Sequence, residues 1–277
     1  CGGCALQHVD DVEYSNWMHK RVTQTLVRRG LDIVVDPPIR IAPGTRRRAR
    51  LGARATAKGV VLGFKAKRSH WLVDVTECPV VRTEIVALLP QLRTVLSHCL
   101  EAGGDAEVSV VIIDGGLDVA VDTTSVLDLA KRERLAEFAN SSELARLTWA
   151  GELVVQRRLP CVVFAEITVK LPTGAFLQPT ETGESVLIEF VAKALDFATT
   201  VADLFAGCGT FSLPLAMAGK RVRAVDADNG QVRALNAAAQ DPRLGARITT
   251  ETRDLERRPL TGLALALFDG LVLDPPR

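Results

Sequence analysis

The sequence lacks any apolar run long enough to cross a membrane, since none approaches the roughly 18 to 20 residues that a spanning helix needs. It also lacks a basic segment followed by an apolar stretch, so no signal peptide is predicted. We therefore expect a cytoplasmic protein with no membrane partner, and we expect it to be a monomer.

The sequence also lacks a large net charge and a high density of cysteines. The formal net charge is +1 over 277 residues, so any surface that binds nucleic acid must be a local basic patch. Six unevenly spaced cysteines do not make the framework of a small secreted disulfide-rich domain. Close cysteine pairs in a reducing compartment indicate metal ligands or redox groups instead. Internal repeats and low-complexity segments are absent from the sequence.

What is present divides into two parts. A chain of this length with 47% hydrophobic residues is expected to form two domains. In the first, residues 1–172, helices are predicted at 14–30, 79–102 and 126–140, with antiparallel strands at 47–82 and a hairpin at 106–122. In the second, residues 173–277, strands alternate with helices, which predicts a parallel sheet with right-handed crossovers. The predicted fold class is α/β, with an α+β domain in front.

A glycine loop lies between a predicted strand and helix in "VADLFAGCGTFSLPLA", where a doubly wound sheet binds a nucleotide-like ligand. A dinucleotide site needs G-x-G-x-x-G, but Ser212 stands at the third glycine position and Asp203 precedes the loop, which argues against NAD. Asp226 ends the next strand, where a carboxylate can accept both hydroxyls of a ribose. This order predicts S-adenosylmethionine as the ligand, although a related fold with another ligand stays open. Cys208 is expected to be a packing residue.

The chain ends in "LVLDPPR", which places Asp274-Pro275-Pro276 after another strand. Enzymes that methylate exocyclic amino groups of bases commonly follow such a motif with an aromatic residue, but here an arginine follows. On this motif, on the glycine loop, and on "CGGCALQH", "ECPV", "GAFLQPT" and "AVDAD", the sequence resembles the RNA uracil-5 methyltransferases of the iron–sulfur branch, which modify transfer RNA and large-subunit ribosomal RNA. The resemblance covers essentially the whole chain. It implies a Rossmann-like class I methyltransferase domain after an α+β domain with an iron–sulfur site.

The resemblance also implies a set of cofactor-binding residues. The match at Asp254 is the loosest, since it depends only on "TRDL" after a strand. Family members often carry Asn where Thr210 stands and Glu where Asp226 stands, and both changes keep the type of hydrogen bond. The residues expected to bind S-adenosylmethionine are Gln178, Phe205, Gly207, Gly209, Thr210, Asp226, Asp254 and Asp274.

The implied chemistry uses a cysteine thiolate that adds to carbon 6 of uracil and a carboxylate that removes the carbon 5 proton. In the family both groups lie downstream of the DPPR motif, so we expect them beyond Arg277 and expect this chain to be a fragment without its catalytic residues. A uridine in 23S rRNA is the preferred substrate, ahead of transfer RNA. Two alternatives remain: a methyltransferase acting on another base or on protein, and a non-catalytic RNA-binding or cluster-carrying relative.

Three cysteines are candidate metal ligands. By resemblance, Cys1 and Cys4 match the second and third ligands of a [4Fe-4S] cluster and Cys78 matches the fourth, while the first would precede Cys1. A C-x-x-C pair alone would equally suit zinc.

The segment from Ile39 to Val73 contains ten Lys or Arg and no acidic residue, which predicts a surface for RNA phosphates. Strand alternation would place every second arginine of "RRRAR" on one face. A solvated strand face balanced by acidic groups elsewhere is the alternative. Trp71 and Phe64 are expected in the core rather than stacked on bases. The candidate RNA-contact residues are Arg46, Arg48, Arg50, Lys65, Lys67 and Arg68.

Overall fold

The computed structural model describes Cys1 and residues 3–276 of the chain, and its first part is built on one large sheet. The helices there are α1 (Asp11–Arg28), α2 (Thr83–Cys99) and α3 (Leu129–Ser141). The strands are β1 (Arg48–Thr56), β2 (Gly59–Lys65), β3 (Leu72–Asp74), β4 (Asp105–Ile113), β5 (Gly116–Thr123), β6 (Arg146–Trp149) and β7 (Glu152–Gln156). They form a seven-stranded sheet in the order β3-β2-β1-β4-β5-β6-β7. The pair β5–β6 is parallel and the other pairs are antiparallel, so the sheet is mixed.

Alternation along β1 explains how this sheet builds its core. Ala49, Leu51 and Ala53 point to one face and are buried, because successive side chains of a strand point to opposite faces. Leucines along α2 cover that face, and Trp149 completes the core, its indole N–H bonded to the Ser125 carbonyl at 2.9 Å. The three helices predicted for this part, and the predicted hairpin, which is β4–β5, lie within a few residues of their expected bounds.

Helix α1 differs from this pattern. Asp10 accepts hydrogen bonds from the amides of Val12 and Glu13, which explains why the helix begins at Asp11. None of its residues is buried, although the sequence has apolar residues at helical spacing. Within the described residues no helix is long and apolar enough to span a bilayer. The expectations of a monomer and of a cytoplasmic location stay predictions.

The second part of the chain alternates strands and helices as predicted. The hairpin of β8 (Cys161–Phe164) and β9 (Ile167–Lys170) lies just before it, within residues 1–172. There follow α4 (Glu181–Ala194), β10 (Thr200–Leu204), α5 (Ser212–Met217), β11 (Arg221–Asp226), α6 (Asn229–Ala238), β12 (Ile248–Thr252), α7 (Gly262–Leu265) and β13 (Gly270–Leu273). Strands β10 to β13 form a parallel sheet in the order β12-β11-β10-β13. Strand β12, "ITTET", is polar and half-exposed. The sequence indicated a strand before "TRDL" but gave it no bounds.

The strand order determines where a ligand can bind. The chain moves outward from β10 through β11 to β12 and then returns to place β13 on the other side of β10. In such sheets ligands bind at the carboxyl ends of the strands where the direction reverses. The loops after β10, β11 and β13 meet at that edge.

A buried ion pair lies next to the predicted boundary at residue 172. Arg146 donates two hydrogen bonds to Asp118, at 2.9 and 2.6 Å, and two more to the carbonyls of Leu171 and Pro172. The hairpin β8–β9 precedes Pro172, yet its inward residues belong to the second hydrophobic core. The division at residue 172 stays a prediction.

Candidate cofactor site and basic surface

The loop between β10 and α5 turns back over the end of β11. The amides of Phe205 and Ala206 both donate to the Val225 carbonyl, at 2.9 and 3.1 Å. Phe205, Gly207 and Gly209 all have positive φ angles, of 64°, 55° and 97°. A Cβ at Gly209 would lie 2.5 Å from a side-chain atom of a leucine in α6, so only glycine allows this close packing.

Asp226 ends β11 and faces this loop. Its Oδ2 accepts a hydrogen bond from the Gly207 amide at 2.8 Å, and its Oδ1 accepts one from the Asp228 amide at 2.8 Å. Because an ionised carboxylate has about four acceptor positions, two backbone bonds leave positions for ligand hydroxyls. The structure therefore holds the Asp226 carboxylate against the glycine loop, where the sequence predicted a ribose contact.

Asp203 and Ser212, which argued against an NAD site in the sequence, are paired in the structure. The Ser212 hydroxyl donates to Asp203 Oδ2 at 2.6 Å, and Asp203 is 1% exposed. Its Oδ1 has no hydrogen-bond partner in the described part of the chain. Burial raises the pKa of Asp203 to about 7, and the carboxylates of Asp226 and Asp274 act in the same direction. A buried acid with a pKa near neutrality thus lies directly beneath the glycine loop.

Gln178 and Asp274 come from distant positions in the sequence and meet at this edge. The Gln178 side-chain amide donates to Asp274 Oδ2 at 3.0 Å. Asp274 directly follows β13, next to β10, so the pair lies where the strand order reverses. Beside it is an apolar groove of about 310 Å³, lined among others by Phe211 and Leu273.

The remaining predicted residues of the site have local roles. Asp254 accepts hydrogen bonds from the amides of Glu256 and Arg257, at 3.1 and 3.0 Å, which caps the turn after β12. Thr210 is half-buried in the glycine loop. Burial raises the pKa of Cys208 to about 12, so its thiol stays protonated and unreactive at neutral pH.

The three candidate cluster ligands are not assembled. Cys1 is exposed, while Cys4 and Cys78 are half-buried. Cys4 lines a cavity of about 750 Å³ together with Pro79, the neighbour of Cys78. Nowhere in Cys1 and residues 3–276 do three or more His, Cys, Asp or Glu form a group able to hold a metal ion. In the part of the chain that the structure describes, these cysteines are therefore not grouped around a common metal position.

The basic run divides according to strand alternation. Arg46 and Arg50 are exposed, but Arg50 is paired with Glu107, as the alternative of a balanced strand face proposed. Arg48 lies 4.2 Å from the Phe176 ring centre and donates to the Leu177 carbonyl at 2.9 Å. Burial, with its arginine neighbours, lowers the pKa of Arg48.

The turn between β2 and β3 carries the other predicted cations. No carboxylate lies within 4.0 Å of Lys65, Lys67 or Arg68 among the residues that the structure describes. The prediction that Trp71 lies in the core is wrong, since Trp71, at the end of this turn, is 81% exposed. Phe64 is half-buried against the first core, as expected.

Arg47 was not among the predicted site residues and is the one buried arginine of the run. It is 5% exposed and donates to Glu184 at 2.6 Å and to the Gln178 carbonyl at 3.1 Å. Strand alternation would have indicated its inward direction, but no sequence pattern names its partners.

The chain is similar to several bacterial RNA methyltransferases. A protein of Mesorhizobium japonicum named as an uncharacterized RNA methyltransferase is 41% identical over 277 residues, which is 100% of this chain and 66% of that protein. A 23S rRNA (uracil(1939)-C(5))-methyltransferase of Halomonas elongata is 32% identical over 300 residues, 100% of this chain and 61% of that protein. The chain thus spans about two thirds of the length of these relatives. No family model matches it.

A solved structure shares the fold. The crystal structure of Pyrococcus abyssi tRNA (uracil-54, C5)-methyltransferase in complex with S-adenosyl-L-homocysteine superposes with a TM-score of 0.72 at 19% identity, covering 100% of this chain and 69% of that one. This likeness confirms the predicted α/β methyltransferase fold. Further proteins named as uncharacterized RNA methyltransferases are 34 to 38% identical, and the chain covers 67 to 70% of their length. The chain therefore belongs to the RNA methyltransferase family.

Proposed function

We propose that the protein transfers the methyl group of S-adenosylmethionine to carbon 5 of a uridine in RNA, with 23S rRNA as the substrate. The observation that carries this proposal is that Asp226 and the bonded pair Gln178–Asp274 lie at the carboxyl ends of the two strands that flank β10, at the reversal point of the sheet. The name of the Halomonas relative supports the choice of 23S rRNA and of carbon 5.

In this proposal the chain binds and orients the cofactor, whose sulfonium supplies an electrophilic methyl group. Asp226 accepts the ribose hydroxyls, since two backbone amides already fix its carboxylate. The glycine loop lets the backbone approach the methionine part closely, because Gly207 and Gly209 carry no side chain. Phe205, Thr210 and Asp254 complete the proposed set on the loops after β10 and β12.

The nucleophile and the base are proposed to lie beyond Arg277. A cysteine thiolate adds to carbon 6 of uracil, and carbon 5 then attacks the methyl group, with S-adenosylhomocysteine as the leaving group. A carboxylate removes the proton from carbon 5, and the bond between carbon 6 and sulfur breaks to release the thiolate. The one cysteine in the glycine loop does not suit this role, because burial keeps the Cys208 thiol protonated.

The test is methylation of unmodified ribosomal and transfer RNA by the full-length protein, purified anaerobically, with deuterated-methyl S-adenosylmethionine and nucleoside mass spectrometry. We expect labelled 5-methyluridine in 23S rRNA, and its loss in Asp226→Ala. Label in transfer RNA would correct the substrate class. Label in another nucleoside would favour a methyltransferase for another base. No label despite cofactor binding would favour a non-catalytic relative.

We further propose that the β2–β3 turn contacts the RNA. Lys65, Lys67 and Arg68 lack acidic partners among the described residues, and the neighbouring Trp71 is free to stack on an unpaired base. The antiparallel register of β1 and β2, with Gly52 opposite Gly63, places this turn at the end where β1 begins. Arg46, Arg48 and Arg50 lie at the same end, so the surface borders the loop that carries Gln178.

The RNA contact is tested with Trp71→Ala, and Phe197→Ala is the control because Phe197 is also strongly exposed but lies outside the basic surface. We expect RNA affinity to fall about fivefold to a hundredfold in the first variant, the usual effect of losing one stacked base. Affinity should be unchanged in the second. Equal affinity in both would refute the contact.

We also propose, from the sequence resemblance and from the cavity shared by Cys4 and Pro79, that Cys1, Cys4 and Cys78 bind a [4Fe-4S] cluster together with a cysteine that precedes them. Iron and sulfide analysis of anaerobic full-length protein tests this. Cys78→Ser should lose iron, whereas Cys161→Ser should retain it. Zinc without iron would favour a zinc site, and no metal would refute both.

A further inference from the structure

Three consecutive carbonyls of the segment that carries Gln178 are bound by two consecutive arginines. Arg48 donates to the Leu177 carbonyl at 2.9 Å, the Arg47 side chain donates to the Gln178 carbonyl at 3.1 Å, and the Arg47 backbone amide donates to the Pro179 carbonyl at 2.8 Å. The main chain of this segment is therefore held residue by residue at the start of β1.

Arg47 itself is fixed from two sides. Its carbonyl accepts the Ile112 amide of β4 at 2.8 Å, which ties its backbone to the first sheet. Its guanidinium donates to Glu184 at 2.6 Å, and both side chains are buried. Burial raises the pKa of the Glu184 carboxyl, while the Arg47 guanidinium acts against this. A buried charge pair of this kind has few alternative arrangements, because separating it leaves a charge without compensation.

Gln178 transmits this placement to the cofactor site. Its backbone is held by Arg47, and its side chain reaches Asp274 at 3.0 Å, at the reversal point of the parallel sheet. Glu184 lies in the first turn of α4, which follows the same segment. The contacts thus run without a gap from the first sheet, through Arg47 and Gln178, to the loop after β13.

We propose that Arg47, held by Glu184, is a positioning residue that sets Gln178 for cofactor binding. The inference rests on the proposed function, since it requires that Gln178 contacts S-adenosylmethionine. The planar guanidinium is needed because it donates in two directions at once, to a carboxylate and to a carbonyl. A lysine keeps the charge but not this geometry.

The experiment measures the dissociation constant of S-adenosylhomocysteine by calorimetry, with thermal unfolding alongside, for the unaltered protein, Arg47→Lys, Gln178→Ala and the double variant. Arg132→Lys is the matched control, because Arg132 pairs with Glu152 at 2.6 Å in the first part of the chain, on α3 and β7. The same arginine-to-lysine change is thereby made in an ion pair outside the site.

We expect binding to weaken about tenfold in Arg47→Lys and in Gln178→Ala, the size of one charge-assisted or ligand hydrogen bond. The double variant should bind no more weakly than whichever single variant has the lower affinity, because both substitutions act through the same contact. Arg132→Lys should bind normally. Unchanged binding by Arg47→Lys, or losses that multiply in the double variant, would overturn the inference.

Two further results separate this inference from its premises. If the unaltered protein fails to bind S-adenosylhomocysteine, the proposed function is refuted and this inference with it. If the unaltered protein binds normally and Arg47→Lys binds with the same affinity, only this inference is refuted. If Arg47→Lys does not fold, Arg47→Met combined with Glu184→Met removes both charges together and keeps the volume. Weakened binding by that folded protein supports a positioning role, and intact affinity overturns it.

Discussion

Replacing Asp203 with asparagine tests whether the acid beneath the glycine loop is held near its titration point. Asparagine keeps the size of the side chain and an oxygen that accepts the Ser212 hydroxyl, but it cannot ionise. The side chain is buried and one of its oxygens has no partner among the described residues, so ionisation in place is costly.

The magnitude follows from the shift of the pKa from 3.8 to about 7. The folded state holds the proton of Asp203 more tightly than the unfolded state does, so the free energy of unfolding falls as the pH rises from about 4 to about 7. At about 1.4 kcal/mol for each pKa unit, the full loss is about 4 kcal/mol, of which about 2 kcal/mol falls between pH values of about 5.5 and about 8. The asparagine variant should therefore gain about 2 kcal/mol over the unaltered protein across that interval.

Urea unfolding followed by far-ultraviolet circular dichroism measures this difference at both pH values. Tryptophan fluorescence is unsuitable, because Trp17, Trp71 and Trp149 all precede the methyltransferase sheet. Asp269→Asn is the control: hydrogen bonds from Thr199 and Thr200 hold the pKa of Asp269 below its usual value, so its effect should not change over this interval. A constant difference between Asp203→Asn and the unaltered protein at the two pH values would refute the reasoning.

Three further substitutions test packing, cofactor binding and the buried ion pair next to residue 172. Gly209→Ala should destabilise the protein by about 1 to 3 kcal/mol in urea unfolding, because its Cβ would overlap a leucine and its φ is 97°; an unchanged midpoint would contradict this close packing. Asp226→Asn should weaken S-adenosylhomocysteine binding about tenfold by calorimetry through loss of charge-assisted bonds, and equal affinity would exclude a ribose contact. Asp118→Ala should destabilise by about 3 to 5 kcal/mol, because it leaves Arg146 buried without a counter-charge. The exposed Asp122→Ala is its control, and equal losses in the two would refute the buried pair.

The alternation of strands and helices, the glycine loop and the carboxylate at the end of β11 were all evident in the sequence. These features are encoded by residues close together in the chain, because the period of a strand or helix and the chemistry of a turn are local properties. The same locality explains why the sequence indicated β12 only as a strand of unstated bounds before "TRDL": "ITTET" carries no continuous apolar run, although it pairs in parallel with β11.

Only the tertiary structure decided which distant residues meet. Gln178 and Asp274 are 96 positions apart, and the strand order β12-β11-β10-β13 brings them together by placing the end of β13 beside β10. Arg47 and Arg48 are neighbours in a uniformly basic run, yet their partners lie about 130 residues later in the chain. Trp71 is a large aromatic residue of the kind expected in a core, but it lies on a turn at the edge of the sheet that nothing among the described residues covers. Such contacts depend on how sheets and helices pack, and a local pattern holds no information about the element on the other side.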